Sequence, residues 1–350
     1  MKILYVSDYE AWIPCFRKEM PSHHLYGVYE MIDYYDEKKR RGYLKKEISD
    51  GYIDFCYVYK PNNASKVVKA LFRFQSCLSI WLKSFHYDIV YDAIDQCTPI
   101  LGLFNRFHLM KAKLITMLHH PPFRCEFQAG LSDAYIFFDQ SHMSYGEKLN
   151  NSLKERMFVC EWGPDFSWYD GFRLKKESKE YFVLDSGHTA RDHELLVEAC
   201  NDLELVAGVP TGSVKKHKRI KEIPVDYNMK TYVINLLKCR VIGIPIKKRA
   251  FPRREYFYEK VIFKLFGKRK ASVVQNIPPD PVGYTALMDV LALNVPVIVS
   301  DNTLVSNFVK RYHVGIVYEA GNLASLKNAL EQIQDEKNGI ILRITCCQSE

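Results

Sequence analysis

The sequence predicts an α/β protein with two domains, each built on a doubly wound parallel sheet. The chain has 350 residues, more than twice the commonest length of a single domain, so two separate cores are expected. Short apolar strands alternate with helical segments in both halves, which is typical of parallel crossovers. Hydrophobic residues make up 47% of the chain and charged residues 26%, a composition that excludes long disorder.

Five predicted strands organise the first half of the chain. They cover residues 2–7, 52–59, 88–92, 113–118 and 134–138. Apolar residues with helical spacing occur between them, at 21–35 and 65–85. A cluster of Trp, Gly, Pro and Asp at 158–171 interrupts this alternation, which restarts at Tyr181. We therefore predict an N-terminal domain over 1–174 and a C-terminal domain over 175–350.

The second half follows the same pattern and predicts a second parallel sheet. Strands are expected from Tyr181 and at 203–208, 239–246, 296–301 and 313–319, with helices at 192–203 and 283–295. The helix at 283–295 ends near Asn294, which tolerates the left-handed conformation of a helix stop. Pro296 then opens a wholly apolar strand.

The start of the helix at 283–295 is a candidate anion site. Backbone N–H groups at Gly283, Tyr284 and Thr285 and the positive end of the helix dipole suit phosphate oxygens. Asp289 lies farther along this helix, where its carboxylate is placed to bond a ribose diol. The alternative interpretation is an ordinary αβ unit with a surface aspartate.

A second candidate site follows the strand that begins at Tyr181. Gly187 permits close backbone approach, and the guanidinium of Arg191 presents a fork of donors that suits a diphosphate. His188 lies next to Gly187. The alternative is that Arg191 pairs with an adjacent acidic side chain as a solvated helix cap.

Five stretches of the chain carry a family resemblance. They are MKILYVS at the start, WGPD at 162–165, SGHTARDHELLVEA from Ser186, GYTALMDVLALNVPVIVSDN from Gly283 and HVGIVYEAGNLASLKNAL from His313. In this order they resemble the glycosyltransferase family 4 enzymes of the GT-B fold, over residues 1–335. The resemblance implies two Rossmann-like domains that face a central cleft.

The resemblance also implies roles for the candidate residues of the C-terminal domain. The donor diphosphate is expected against Gly187, His188 and Arg191 and against the helix start at 283–285, with Asp289 on the nucleotide ribose. Breaking the sugar–phosphate bond develops negative charge on the leaving diphosphate, which pre-placed donors stabilise. Arg191 is therefore a catalytic as well as a donor-binding candidate.

In the N-terminal domain the resemblance points to histidines. A histidine at the end of the fourth strand faces the transferred sugar in such enzymes, which here implies His119 or His120. Adjacent strand residues point to opposite sides, so one of the two faces the expected cleft. The loop after the first strand supplies the acceptor-side candidates His23, His24 and Gly27.

The activity implied is transfer of a sugar from a nucleotide-sugar to a glycan or lipid-linked acceptor, with retention of anomeric configuration. Many family members carry two glutamates where this chain has Pro281 and Asp289, and a glycine pair where it has PSHHLYG. Two alternatives therefore remain: a sugar-nucleotide epimerase and a non-catalytic nucleotide-sugar-binding relative. The tail NGIILRITCCQSE also departs from the closing helix of the family.

Metal and cofactor sites are not expected. No Asp-x-Asp motif lies in a suitable loop, and the nearest equivalent, YDAID at 91–95, stands in the other half. The ten cysteines show no Cys-x-x-Cys spacing, so buried thiols in a reducing compartment are expected. The donor nucleotide-sugar is then a substrate, and metal-independent transfer is the prediction.

A basic segment at 247–270 interrupts the second half. Its ten Lys and Arg and two Glu give a net charge of +8, equal to that of the whole chain. Aromatic and aliphatic residues with helical spacing make it a candidate for binding an anionic membrane surface. A charged loop with a core-packed helix is the alternative, and a nucleic-acid partner is not expected.

Localisation follows from these observations. The strand ILYVS begins almost at the N-terminus, without an apolar signal region, and no stretch reaches the roughly 18 apolar residues of a spanning helix. We expect a cytoplasmic protein, peripheral at the inner face of the membrane if residues 247–270 bind lipid.

Overall fold

The chain folds into two compact α/β units. The computed structural model describes residues 1–33, 53–59, 61, 64–119, 130–149, 151–160, 162–173, 178–215, 219–224, 228–248, 279 and 281–335. Of these, residues 1–162 belong to the first unit and residues 163–335 to the second.

A six-stranded sheet forms the centre of the first unit. Its strands are β1 (Ile3–Ser7), β2 (Ile53–Tyr57), β3 (Ile89–Asp92), β4 (Lys113–Leu118), β5 (Ala134–Phe137) and β6 (Met157–Val159). They pair in the order β2-β1-β3-β4-β5-β6, and every pair is parallel. The five strands predicted for this half are confirmed, and β6 is an addition to them.

Helices flank this sheet. They are α1 (Trp12–Phe16), α2 (Val28–Asp33), α3 (Lys66–Ser84), α4 (Thr98–Arg106) and α5 (Gln140–Leu149), with 3-10 turns at Ser22–Leu25 and Asn151–Arg156. The helix predicted at 21–35 is broken, because Tyr26 and Gly27 take left-handed backbone angles, φ +49° and +84°. His23 and His24 consequently lie in the short 3-10 turn.

A second six-stranded sheet forms the centre of the second unit. Its strands are β7 (Tyr181–Leu184), β8 (Ala207–Pro210), β9 (Ile220–Ile223), β10 (Cys239–Ile244), β11 (Val297–Ser300) and β12 (Gly315–Tyr318). They are all parallel in the order β12-β11-β10-β7-β8-β9. The chain therefore changes direction across the sheet between β7 and β10, where doubly wound folds bind ligands.

The helices of the second unit cover this sheet. They are α6 (Phe166–Arg173), α7 (His193–Asp202), α8 (Met229–Leu237), α9 (Tyr284–Leu293), α10 (Leu304–Tyr312) and α11 (Leu323–Asp335). Helix α6 belongs to this unit because Tyr169 and Arg173 bond to α9. The boundary at 174/175 stays a prediction.

Each unit has its own buried core. In the second unit, Val183, Leu196 and Ile298 belong to one apolar cluster, and in the first unit Val90 and Leu101 belong to another. The seven described cysteines are thiols, and all except Cys160 are buried. None of the helices within the described ranges is long and apolar enough to cross a membrane.

Candidate functional site

The loop after β7 is fixed to the segment after β10. The backbone N–H of Asp192 donates to the Pro245 carbonyl at 2.7 Å, and that of Lys247 donates to the Ala190 carbonyl at 2.9 Å. Arg191 pairs with Ile246 in an isolated antiparallel bridge. Because β7 and β10 are the two strands where the order reverses, Arg191 lies at the carboxyl edge of the sheet at its switch point.

Asp185 organises this loop from the end of β7. Its Oδ1 lies 3.2 Å from Arg191 Nε and accepts a 3.0 Å hydrogen bond from the backbone N–H of Gly187. Its Oδ2 lies 3.1 Å from His193 Nε2, which also donates to the Gly187 carbonyl at 3.0 Å. The buried carboxylate thus neutralises Arg191 and sets the course of the loop.

Two glycines allow the guanidinium of Arg191 to occupy its position. A Cβ atom on Gly187 would lie 2.1 Å from Arg191 Nε, closer than any side chain tolerates. Gly283 has φ +100°, and a Cβ there would lie 2.7 Å from Ile244 Cγ2 and 3.4 Å from Arg191 Nη1. The structure therefore brings Gly283 next to Gly187 and Arg191, which lie more than ninety positions earlier in the sequence.

Hydrogen-bond donors remain unused at this place. Within the described ranges, Nη1 of Arg191 has no hydrogen-bond partner and Nε makes only the 3.2 Å ion pair with Asp185, although only 5% of the side chain is exposed. Helix α9 begins beside them without a side-chain cap, and Thr285 in its first turn is exposed. Of the backbone donors predicted there, the N–H of Tyr284 donates to the Pro281 carbonyl at 3.1 Å. A buried guanidinium with an unpartnered Nη1 beside a helix start without a side-chain cap is a candidate anion site.

Asp289 lies inside the unit, between two tyrosines. Only 1% of Asp289 is exposed. Its Oδ1 accepts from the Tyr169 hydroxyl at 2.6 Å and its Oδ2 from the Tyr232 hydroxyl at 2.8 Å. Burial raises the pKa of Asp289 to about 6, although both hydroxyl hydrogen bonds lower it. The Ser186 hydroxyl donates to Tyr232 at 3.1 Å, so Asp289 holds the β7 loop through Tyr232.

Two of the alternative interpretations from the sequence are wrong. Asp289 is not a surface aspartate, because its carboxylate accepts hydrogen bonds from Tyr169 on α6 and Tyr232 on α8. Arg191 is not a solvated cap, because it is buried against Asp185, and Asp192 caps α7 by accepting from the Leu195 N–H at 3.4 Å. His188 is exposed and Tyr284 is buried. The ligand roles of all these residues stay predictions.

His119 of the first unit follows β4 and lies among aromatic rings. Its Nε2 lies 2.6 Å from the Ala93 carbonyl, which can only accept, so Nε2 carries the proton. The ring centroids of Tyr26 and Phe138 lie 4.7 Å and 5.0 Å from that of His119, both edge to face. Trp162 is 5.2 Å from Phe138. His120 lies outside the described residues.

The acceptor-side candidates lie close to this aromatic cluster. The His23 carbonyl accepts from Trp162 Nε1 at 2.9 Å, and the ring of His23 stacks on His24 at 4.7 Å. Burial lowers the pKa of His24 to about 4, which keeps its imidazole neutral. A Cβ on Gly27 would meet open space, so the positive φ of Gly27 is its only visible requirement.

Four residues that shape the second-unit site were not predicted from the sequence. Asp185 and His193 flank the predicted loop, and Asp185 carries a detectable signal because it ends a wholly apolar strand. Tyr169 and Tyr232 lie on helices far from Asp289 in sequence and carry no local signal.

The segment 247–270 lies outside the described residues from position 249 onward. Across the described ranges, no three His, Cys, Asp or Glu side chains are grouped to hold a metal ion.

Comparison with known proteins gives matches only among solved structures. Neither protein-family models nor curated protein sequences match the chain. The glycosyltransferase from Rickettsia africae has a TM-score of 0.58 at 13% identity, over 97% of this chain and 90% of that chain. HepE from Anabaena, solved with UDP-glucose, has a TM-score of 0.57 at 12% identity, over 96% and 90%.

A third similar structure belongs to another enzyme class. The UDP-N-acetylglucosamine 2-epimerase from Rickettsia bellii has a TM-score of 0.53 at 12% identity, over 96% of this chain and 88% of that chain. What this chain shares with all three is the fold. Together with the two parallel sheets, these likenesses show that the chain has the GT-B fold. Glycosyltransferases are prominent among its structural neighbours.

Proposed function

We propose that this protein is a glycosyltransferase that moves a sugar from a nucleotide-sugar to a glycan or lipid-linked acceptor. In this proposal the second unit holds the donor diphosphate between Arg191, Gly187 and the start of α9. One observation carries it: the unpartnered Nη1 of a buried Arg191 beside Gly187 and Gly283. The structures of HepE with UDP-glucose, which share this fold, support a nucleotide-sugar as the anion.

The mechanism follows from the charge of the leaving group. Cleavage of the bond between the anomeric carbon and the diphosphate oxygen leaves a nucleoside diphosphate with an additional negative charge. The guanidinium of Arg191 and the helix start at Gly283–Thr285 are in place before the reaction, so they stabilise this charge without reorganisation. We propose that these groups, with His188 at the edge of the loop, act without a divalent ion.

The other roles come to this chain from its family resemblance. His119 or His120 faces the transferred sugar, Asp289 binds the ribose, and His23, His24 and Gly27 lie on the acceptor side. His119 presents Nδ1 as its acceptor, because Nε2 donates to the Ala93 carbonyl. Transfer with retention is part of the same proposal.

The test begins with UDP and GDP, alone and as their sugars, in thermal unfolding of the full chain. A ligand that binds only the folded protein raises the melting temperature. The variant Arg191→Lys keeps the charge but loses the planar fork, so we expect roughly tenfold to hundredfold weaker binding of the nucleoside diphosphate. Arg219→Lys is the matched control, because Arg219 forms an exposed pair with Glu204.

The second measurement is release of nucleoside diphosphate from the sugar donor in the absence of an acceptor. Slow release supports a transferase, whereas conversion of the donor to its epimer supports the epimerase alternative. Binding without turnover supports the non-catalytic alternative. Equal affinity of wild type and Arg191→Lys, with both proteins folded, would remove Arg191 from the diphosphate site.

A further inference from the structure

Asp289 is a buried carboxylate whose polar contacts are hydroxyl groups. Its two oxygens accept from the hydroxyls of Tyr169 and Tyr232, at 2.6 and 2.8 Å. Within the part of the chain that the structure describes, the groups that act on its pKa include no cation. Two neutral hydroxyls stabilise a buried negative charge less than a cation does. Burial therefore raises the pKa of Asp289 to about 6, and the hydroxyls offset this effect only in part.

A chain of hydroxyl groups leads from the β7 loop to Asp289. Tyr232 donates its single hydroxyl proton to Asp289, so it accepts from the Ser186 hydroxyl at 3.1 Å. Ser186 is half-buried, and both hydrogen bonds of the chain point toward the carboxylate. A proton from solvent that enters at Ser186 therefore passes through Tyr232 to Asp289, because each oxygen accepts one proton and passes on another.

Both ends of this hydroxyl chain are close to the candidate anion site. Asp289 lies in the second turn of α9, about 8 Å along the axis from the helix start. Ser186 is followed by Gly187, which packs on the guanidinium of Arg191. The negative charge of a diphosphate bound there is therefore within electrostatic reach of Asp289.

A bound diphosphate changes the balance between the two protonation states of Asp289. Two negative charges disfavour each other, and at a separation of about 10 Å in a protein one charge changes the acid dissociation constant of the other group about tenfold. An anion beside Arg191 therefore favours the protonated form of Asp289. Because binding free energies are reciprocal, protonated Asp289 also favours the anion.

We propose that the donor site takes up a proton on Asp289 when it binds an anionic nucleotide-sugar. The inference rests on the proposed function, because the anion is the donor diphosphate. The proton comes from solvent through Ser186 and Tyr232. A protonated carboxyl keeps an acceptor oxygen, so the linkage is compatible with a ribose contact. Donor affinity is then highest at low pH and falls as the pH rises through the pKa of Asp289 in the complex.

Other charged and titratable groups lie on the elements around Asp289. They are Asp165 and Arg173 with Tyr169 on and before α6, Tyr232 on α8, Asp185, His188, Arg191 and His193 on β7 and its loop, and Lys310 and Arg311 in the last turn of α10. Histidine side chains in general titrate close to neutral pH. The proton on Asp289 is therefore measured as the difference between wild type and a variant without the carboxyl group.

Calorimetric titration of the full chain with UDP-glucose tests this proposal. The diphosphate of UDP-glucose is esterified at both ends, so it lacks the second phosphate ionisation near about pH 6. The binding heat at about pH 6.5 is compared in MES and imidazole buffers, whose different ionisation enthalpies reveal the protons taken up. For a tenfold change in the acid dissociation constant, wild type should take up about half a proton more than Asp289→Asn.

The pH dependence of donor affinity gives a second measurement. Relative to Asp289→Asn, wild type should lose roughly tenfold in affinity for UDP-glucose between about pH 5 and pH 8. Asn resembles the protonated carboxyl in shape and charge, so this part of the pH dependence disappears in the variant. Tyr169→Phe keeps the carboxyl group but loses a hydrogen bond that lowers its pKa. Its proton uptake should therefore be greatest at a higher pH than in wild type.

Control variants distinguish Asp289 from other groups. Asp170→Asn removes a 65% exposed carboxylate from α6, and we expect it to take up protons like wild type. His188→Gln removes an exposed histidine from the β7 loop. Alone and combined with Asp289→Asn, it should show the same difference of about half a proton.

The measurements separate a failure of this linkage from a failure of the proposed function. Equal proton uptake by wild type and Asp289→Asn, both with UDP-glucose bound, would overturn the linkage alone. Proton release by wild type relative to Asp289→Asn would also overturn it, since ribose hydroxyls on a charged carboxylate favour that form. If Asp289→Asn did not fold, Tyr169→Phe with the proton uptake of wild type at every pH would do the same. A chain that binds neither UDP-glucose nor a GDP-sugar would overturn the proposed function and the linkage together.

Discussion

Asp289 is a buried carboxylate whose titration is expected to change the stability of the protein. Its pKa rises from an ordinary 3.8 to about 6 because the carboxylate is buried. A carboxylate with a raised folded-state pKa contributes stability that is fully present below its unfolded value and is lost as the pH rises through the folded value. The loss expected by neutral pH is about 3 kcal/mol, since one pKa unit corresponds to about 1.4 kcal/mol.

Replacement of Asp289 by Asn removes this titration and keeps the shape of the side chain. We expect the free energy of unfolding of wild type, relative to Asp289→Asn, to fall by about 3 kcal/mol between about pH 4 and pH 7. Denaturant unfolding at a series of pH values measures the difference. Tyr169→Phe should move the loss to higher pH, because the Tyr169 hydrogen bond lowers the pKa of Asp289. A difference that is independent of pH would contradict this assignment of the titrating group.

Sequence reasoning pointed to those residues of the candidate anion site whose requirements are local. Gly187 and Gly283 each need a backbone without a side chain, and Arg191 follows a strand at a helix start. The partners that hold Arg191 in place, Asp185 and His193, were not predicted, because their contacts depend on the path of the loop. For Asp289 the helix was predicted correctly, but its burial against Tyr169 and Tyr232 depends on two helices that are distant in sequence.

At the scale of elements, the loop before α9 depends on the cap of α10. The hydroxyl of Thr303 accepts from the Val305 N–H at 3.4 Å and donates to the Val282 carbonyl at 2.6 Å. One side chain thus begins α10 and also holds the residue before Gly283. Thr303→Val keeps the shape and removes both hydrogen bonds.

We expect Thr303→Val to lower the free energy of unfolding by about 2 kcal/mol, since a cap and a buried carbonyl lose their partner. It should also weaken UDP binding, because Gly283 is no longer held.

Asn228→Ala is the matched control: Asn228 caps α8 by accepting from two backbone N–H groups. We expect it to cost about 1 kcal/mol and to leave UDP affinity unchanged. If both variants bound UDP like wild type, the Thr303 link would be irrelevant to the site. Thr303→Ser should restore binding.

Elements with strong periodic signals were predicted best. Strands β1 to β5 lie within the predicted ranges because buried parallel strands have continuous apolar runs. The strand predicted at 203–208 begins only at Ala207, because α7 continues to Asp202 and Glu204 takes a left-handed turn, φ +57°. Strand β9 was missed because Ile220–Ile223 has an edge position and two exposed residues.

At the scale of the whole molecule, the two units have separate sheets and separate apolar cores. The side chains of the candidate anion site all belong to the second unit. The proposed donor binding therefore depends on the core of the second unit. A change in one core should affect the stability of its own unit first.

Calorimetry of the full chain checks this independence. We expect two unfolding transitions, of which UDP raises only the one that belongs to the second unit, since it binds folded Arg191 and α9. Leu101→Ala in α4 and Leu196→Ala in α7 each empty a fully buried position, at a cost of about 2–5 kcal/mol. Leu196→Ala should lower the melting temperature of the transition that UDP raises. Leu101→Ala should lower the melting temperature of the other transition. A single transition that both substitutions lower equally would mean that the two cores unfold as one cooperative unit.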